Sequence, residues 1–334
     1  MGKHKQTDIF IFAAENSAER YGALVVEAFK KNGAPISFFG VGGNQLKQRG
    51  VELIFHNREL SIVGIIEVLS SIVRLKKLMR FIVSEIKKRE CKTAILIDYP
   101  DFNLRLAKKL KQKGISVYYY IAPTVWAWRY SRVNQIRKYI KRLFIIFPFE
   151  KAIYEKERIP YTYTGHPIVS KISSNMTQEK FRQIEKIAPG DRIVSILPGS
   201  RMSEIHSLLL LMLQTLRRLK GEMNIQPFLL LADSVDRHEV ETILGDYLDL
   251  GIRVIEQKDG YDLIKSSDLV ISSSGTSNLE IAMLDTPFFS VYKVNWLSYL
   301  LGKNFLKIDL YSIVNILAGK QVIVELIQDQ MTVD

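Results

Sequence analysis

Thr93-Ala94-Ile95-Leu96-Ile97-Asp98-Tyr99-Pro100-Asp101-Phe102-Asn103 joins an apolar run to two carboxylates and to the start of an amphipathic segment. The run at 93–97 does not alternate apolar and polar residues, so as a strand it is covered on both faces. Behind it, residues 102–113 repeat apolar side chains at helical spacing. The same unit recurs along the chain. In the first half, strands are expected at 9–14, 36–40, 117–121 and 143–147, with a helix at about 18–31. In the second half, strands are expected at 193–197, 228–231, 253–256, 269–272 and 288–291, with helices at 203–220 and 277–284. Apolar strands separated by helices make parallel sheets covered on both sides. Two such sets predict an α/β chain of two Rossmann-like domains. The turn Gly165-His166-Pro167 and the polar stretch 170–189 bracket the boundary, which gives domains of 1–168 and 169–334.

The 334 residues agree with two domains at about 150 residues each. Hydrophobic residues make up 47% and charged residues 25%, which disfavours long disorder, collagen-like repeats and coiled coil. Lys and Arg number 47 against 35 Asp and Glu, a net charge of +12 that points to a phosphate-bearing partner. That partner is a nucleic acid, an anionic membrane surface or a phosphorylated small molecule. No recognised nucleic-acid motif or aromatic-basic platform is present, so no nucleic-acid partner is expected. One cysteine, Cys91, excludes an internal disulfide framework and a multi-cysteine zinc site. It opens an apolar run and is expected to be buried and inert, in the reducing cytoplasm. The apolar stretch 9–14 is too short for a signal-peptide core. No run of about 18 apolar residues occurs, so no membrane span is expected.

Residues 60–90 depart from the strand–helix pattern and read as one or two helices. Ile62, Val63, Ile65, Ile66, Val68, Leu69, Ile72 and Val73 are apolar on more than one face. Arg74, Lys76, Lys77, Arg80, Lys87, Lys88 and Arg89 follow. One reading is a core helix with a solvated basic end. The other is an interfacial surface that dips apolar side chains into lipid and holds anionic headgroups with its cations.

Three strand-to-loop junctions could carry chemistry, because ligand sites in open parallel sheets lie at the carboxyl ends of strands. Asp98 and Asp101 follow the strand at 93–97 and could include a general base, although Asp101 could equally cap the next helix. In Leu197-Pro198-Gly199-Ser200-Arg201, glycine lets the backbone approach a ligand. Amides at the helix start and the arginine both suit phosphate, although a plain turn would read the same. In Ser272-Ser273-Ser274-Gly275-Thr276-Ser277-Asn278-Leu279-Glu280, hydroxyls and amides are offered to a diphosphate, and Glu280 lies within reach of a ribose. These loops are neither Walker A nor GxGxxG, which counts against ATP and NAD. The five histidines form neither a close pair nor an H-E-x-x-H set, so no metal is expected. Trp126 and Trp128 fit packing, or a wall beside an acyl-bearing substrate.

Taken in order, these segments resemble the lipid-A-disaccharide synthase family of GT-B fold inverting glycosyltransferases. The resemblance runs through Gly40-Val41-Gly42-Gly43, residues 60–69, residues 98–103 and residues 122–129. It continues through Phe147-Pro148-Phe149-Glu150, Gly165-His166-Pro167, residues 197–201 with Ser203-Glu204, Ser274-Gly275-Thr276 with Leu279-Glu280, and Asn315-Ile316-Leu317-Ala318-Gly319. It implies two Rossmann-like domains with parallel sheets facing a cleft, an acceptor- and membrane-facing domain first and a UDP-sugar domain second. It implies transfer of 2,3-diacylglucosamine from UDP-2,3-diacylglucosamine to 2,3-diacylglucosamine 1-phosphate, giving the β-1,6 lipid A precursor and UDP. No metal and no cofactor are implied. Asp98 and Arg201 fall on the family's essential aspartate and arginine. Gly199, Ser200, Arg201, Ser274, Gly275, Thr276, Glu280 and Asn315 fall on the donor side. Glu15, Ser17, Ile62, Val63, Ile66, Trp126, Trp128 and Arg129 fall on the acceptor or lipid side. A monomer or homodimer, peripheral on the cytoplasmic face of the inner membrane, is expected.

Three departures stand out. The family's first loop, Gly-Glu-x-Ser-Gly-Asp, is here Ala14-Glu15-Asn16-Ser17-Ala18-Glu19, and left-handed backbone at Ala14 or Ala18 would be strained. Val314 and Lys320-Gln321 replace the usual Pro and Arg-Glu around the later motif, and Lys320 loses the bidentate fork. The family normally continues past the position of Asp334. The alternatives are a GT-B enzyme with another UDP-sugar substrate, or a non-catalytic homologue that binds nucleotide or membrane.

Overall fold

The computed structural model describes residues 7–33, 35–61, 68–257, 260–293 and 310–333. Two compact units divide the chain, Met1–Pro167 and Ile168–Asp334.

The first unit holds strands β1 (Thr7–Ala13), β2 (Ile36–Gly42), β3 (Glu52–His56), β4 (Thr93–Ile97), β5 (Ser116–Tyr120), β6 (Arg142–Ile145) and β7 (Tyr161–Tyr163). They form one sheet in the order β3-β2-β1-β4-β5-β6-β7, with every pair parallel. Its helices are α1 (Asn16–Lys31), α2 (Asn44–Gln48), α3 (Arg58–Ser61), α4 (Val68–Lys88), α5 (Pro100–Gln112), α6 (Arg132–Tyr139) and α7 (Glu150–Lys156). Alternate residues of β1 enter different cores. Phe10 and Phe12 pack with Leu96 and Phe102, while Ile9, Ile11 and Ala13 pack with Ile95 and Ile97. This two-sided burial is what an unalternating apolar strand requires.

The second unit repeats the plan with α8 (Gln178–Ile184), β8 (Arg192–Leu197), α9 (Met202–Glu222), β9 (Ile225–Leu231), α10 (Arg237–Gly245) and β10 (Arg253–Glu256). It continues with α11 (Gly260–Ser266), β11 (Leu269–Ser273), α12 (Thr276–Met283), β12 (Phe288–Tyr292), α13 (Ile313–Ala318) and β13 (Glu325–Ile327). Its sheet runs β10-β9-β8-β11-β12-β13, again all parallel. In both sheets the strand order reverses beside the first strand, between β1 and β4 and between β8 and β11. These are the switch points at which open α/β sheets hold ligands.

The structure corrects the sequence reading in several places. Strands β3, β7 and β13 were not anticipated; all three are sheet edges. Strand β9 runs back through Pro227, which pairs with Val194 of β8. Strand β10 joins β9 only from Phe228 onward, so Pro227 faces no second neighbour that needs its missing N–H. Neither Ala14 nor Ala18 takes a positive φ, and Ala18 is buried within α1, so the altered first loop carries no left-handed strain.

Residues 60–90 contain α3 and α4, and Ile62, Val63, Ile65 and Ile66 lie outside the described residues. The described part of α4 has a core face and an exposed basic face. Leu78, Met79, Ile82 and Ile86 enter the core, while Arg74, Lys76, Lys77 and Arg80 stand exposed with Val73 and Phe81. Among the described residues no helix is long and apolar enough to cross a membrane. Cys91 is buried, its thiol donating to the carbonyls of Asp8 and Thr93, and burial pushes its pKa up.

Candidate active site

The loop after β4 is tightly constrained. Asp98 and Tyr99 are both left-handed, each with φ 49°. Such backbone costs about 1–3 kcal/mol per non-glycine residue and persists only where its surroundings over-determine it. Here they do. The Asp98 amide donates to the Tyr120 carbonyl at 3.1 Å. The Asp98 carbonyl accepts from Asn103 Nδ2 and from Tyr119 Oη, each at 2.6 Å. Pro100 then starts α5 at the position where a missing N–H costs nothing. Burial pushes the Tyr99 phenol pKa up, and the charges of Glu15 and Asp101 push it the same way. Glu15, which follows β1, and Asp98, which follows β4, thus flank the switch point of this sheet. Ser17 lies in the first turn of α1, partly exposed.

Asp101 does not cap α5. It sits in the first turn, where its Oδ1 pairs with Arg129 at 2.7 Å and Arg132 at 2.9 Å. Both guanidiniums lie over the Trp128 ring, at 4.5 and 4.7 Å from its centroid. Trp128 is thereby fixed at the surface, and Trp126 packs edge-on against Phe149 at 5.3 Å.

In the second unit, Gly199, Ser200 and Arg201 follow β8, and Ser274, Gly275 and Thr276 follow β11, so both loops border the switch point. Gly199 has φ 126°, and a Cβ there would collide with the Glu204 carboxylate. That carboxylate accepts from the Ser200 amide at 2.8 Å and the Arg201 amide at 3.3 Å. It also pairs with the Arg201 guanidinium at 3.2 Å. The amides expected to be open to phosphate are therefore occupied by an anion from the chain itself. The Ser274 amide donates to the Val291 carbonyl, and a Cβ on Gly275 would meet open space. Glu280 accepts from the Tyr261 hydroxyl at 3.0 Å.

Asn315, expected on the donor side, lies within α13 and faces the chain's own backbone. It is fully buried, and its side chain is spent on the chain itself. Nδ2 donates to the Ile323 carbonyl and Glu325, while Oδ1 accepts from the amides of Val322 and Ile323. It staples the turn between α13 and β13.

Sequence reasoning missed four residues of this framework. Asn103 and Tyr119 hold Asp98. Glu19, standing where the family has aspartate, is buried and caps α2 through the amides of Gln45 and Leu46; a Cβ on Gly43 would come within 2.5 Å of it. The signal for Glu19 was a carboxylate at a position otherwise facing the core. Glu150 is buried in the first turn of α7 and accepts from the amides of Ile146 and Phe147.

Burial raises the Glu150 pKa to about 7, against the opposing pull of those two amides. A carboxyl whose folded pKa lies above its unfolded value contributes stability fully below the unfolded pKa and loses it as pH rises through the folded one. Glu150→Gln keeps a carbonyl acceptor and does not titrate. Relative to this variant, the parent chain is expected to lose about 3 kcal/mol of stability between pH 4.5 and 8. Urea unfolding at both pH values reads the difference, and an unchanged difference would contradict the raised pKa. Among the described residues no group of three or more His, Cys, Asp or Glu side chains is placed to hold a metal ion.

The two parallel-sheet α/β units give the chain the GT-B fold, which solved glycosyltransferases and UDP-GlcNAc 2-epimerases share. It resembles UDP-GlcNAc 2-epimerase from Neisseria meningitidis, solved with UDP-GlcNAc, at TM-score 0.60 and 12% identity over 94% of this chain and 89% of that one. It also resembles a glycosyltransferase from Rickettsia africae at TM-score 0.51 and 16% identity, over 86% and 80%. The lipid-A-disaccharide synthetase family model matches residues 9–334. Lipid-A-disaccharide synthases of Myxococcus xanthus and Geobacter sulfurreducens are each 36% identical to the chain, over 97% and 98% of it and 84% and 85% of their own lengths. The chain belongs to the lipid-A-disaccharide synthase family and is a glycosyltransferase.

Proposed function

We propose that the chain transfers 2,3-diacylglucosamine from its UDP derivative to the 6-hydroxyl of 2,3-diacylglucosamine 1-phosphate. Asp98 takes the hydroxyl proton as the oxygen attacks the anomeric carbon from the face opposite UDP, and the bond to the diphosphate breaks. Arg201 and the loop of Ser274, Gly275 and Thr276 take up the charge that develops on UDP, and Glu280 holds the ribose. Gly199 and Ser200 give the diphosphate close access to the backbone once it displaces the Glu204 carboxylate from the Ser200 and Arg201 amides. The observation that carries this reading is the position of these residues at the two switch points, with a strained, tightly held aspartate at one and two loops at the other. Turnover of UDP-2,3-diacylglucosamine with 2,3-diacylglucosamine 1-phosphate, without added metal, tests it. Disaccharide and UDP are the expected products, and UDP binding without product would contradict it.

The first unit takes the acceptor in this reading, with Glu15, Ser17, Trp126, Trp128 and Arg129 on the acceptor side and Ile62, Val63 and Ile66 toward lipid. The chain works as a peripheral protein on the inner face of the inner membrane. The exposed cations of α4 support this, since each adds about 1 kcal/mol near an anionic leaflet. Charge reversal at both Lys76 and Lys77 is expected to weaken sedimentation with phosphatidylglycerol vesicles at least tenfold. Equal sedimentation would leave that face as ordinary surface.

A further inference from the structure

We infer that Asn103 and Tyr119 are positioning residues for the transfer, acting through the peptide of Asp98; this rests on the reading of Asp98 as the base. Neither side chain is exposed, and both converge on one atom. Tyr119 Oη and Asn103 Nδ2 donate to the Asp98 carbonyl oxygen at 2.6 Å each, filling both of its lone pairs. Asn103 Nδ2 also reaches the Ile97 carbonyl at 3.3 Å, and the Asn103 amide donates to the Tyr99 carbonyl at 3.0 Å. Together they hold the last residue of β4 and the first two of the loop.

The chemistry of Asn103 argues against a role in packing alone. Its Oδ1 is buried without a hydrogen-bond partner. A leucine of similar size would leave no polar atom orphaned and would serve a core better. The amide orientation is fixed by its surroundings, because exchanging Oδ1 and Nδ2 would set an acceptor against two carbonyl oxygens. What asparagine adds over leucine is a donor beneath a left-handed aspartate. Tyr119 adds a second donor from the neighbouring strand, so β4 and β5 set the direction of the Asp98 side chain jointly. A catalytic carboxylate displaced by about 1 Å loses up to about a hundredfold in rate without any loss of substrate contacts.

The test uses Tyr119→Phe, which removes one donor and little volume, and Asn103→Leu, which removes the other. Expected are falls in kcat of about tenfold and about a hundredfold, with KM for both substrates and the Kd for UDP within twofold of the parent. Melting curves identify a variant that fails to fold, in which case Tyr119→Phe carries the test. The deciding readout is the Asp98→Ala background, where Tyr119→Phe is expected to change the residual rate by less than twofold. Parent-like kcat in both variants would overturn the inference. So would a tenfold further loss in the Asp98→Ala background, because the two groups would then act on something other than Asp98. Full turnover by Asp98→Ala alone would remove the base reading itself, a result distinct from silent clamp variants.

Discussion

Asp98→Ala is expected to lower turnover by about 10²–10⁴-fold, the range a general base supplies, while UDP binds as tightly as before. Two features make this a clean separation. The loops proposed to hold UDP lie in the second unit, after β8 and β11, whereas Asp98 belongs to the loop after β4. Its backbone, moreover, is held through its amide and carbonyl, groups that the substitution leaves in place. Alanine at φ 49° does add strain that aspartate tolerates better. Asp98→Asn is therefore the companion variant, since asparagine favours left-handed backbone and cannot accept the proton. Equal losses in both variants, read as initial rates of disaccharide formation, assign the effect to the carboxylate. Loss of UDP binding in Asp98→Ala would move this residue from chemistry to architecture.

Arg201→Ala is expected to weaken UDP binding by about 10- to 100-fold and to lower turnover with it, the loss of one charge-assisted hydrogen bond to phosphate. The Arg201 guanidinium is 62% exposed and paired with Glu204, so it can reach a ligand without leaving a core. Removing the carboxylate has the opposite sign. Glu204→Gln is expected to raise UDP affinity several-fold, because the diphosphate then meets no fixed negative charge at the Ser200 and Arg201 amides. Isothermal titration with UDP reads both variants. Unchanged affinity in Arg201→Ala would contradict its phosphate role.

The elements buried on both faces were legible in the sequence. The strand expected at 93–97 is β4 residue for residue; the strand at 253–256 is β10, an edge strand that was legible all the same. Runs such as Ala94 to Ile97 announce themselves because nothing polar interrupts them. Edge strands β3, β7 and β13 were illegible for the converse reason: Glu52, Thr162 and Glu325 break the apolar pattern where one side of the strand meets no neighbour. At the candidate site, motif order and strand ends were enough to place Asp98, Arg201 and Ser274 to Thr276 beside the two switch points. Sequence could not show what each side chain does with its hydrogen bonds. Asn315 reads as a polar residue in a loop-like motif, yet its amide closes a turn within the chain. Glu204 reads as an ordinary first-turn acid, yet it reaches back over Gly199, because only glycine at φ 126° leaves that space. Asp101 could read as a cap because the helical pattern starts at Phe102; its contact with Arg129 and Arg132, 28 and 31 positions away, has no local signature.

The carboxylate of Glu204 is a tethered competitor. Bound four residues from the Ser200 amide that it fills, it is present there at an effective concentration that free anions in solution do not match. A single phosphate ion entering this loop would exchange one anion for another and gain little. In the proposed donor site, a diphosphate that also engages the loop after β11 would outbid it, and the loop would then discriminate by valency as well as by charge.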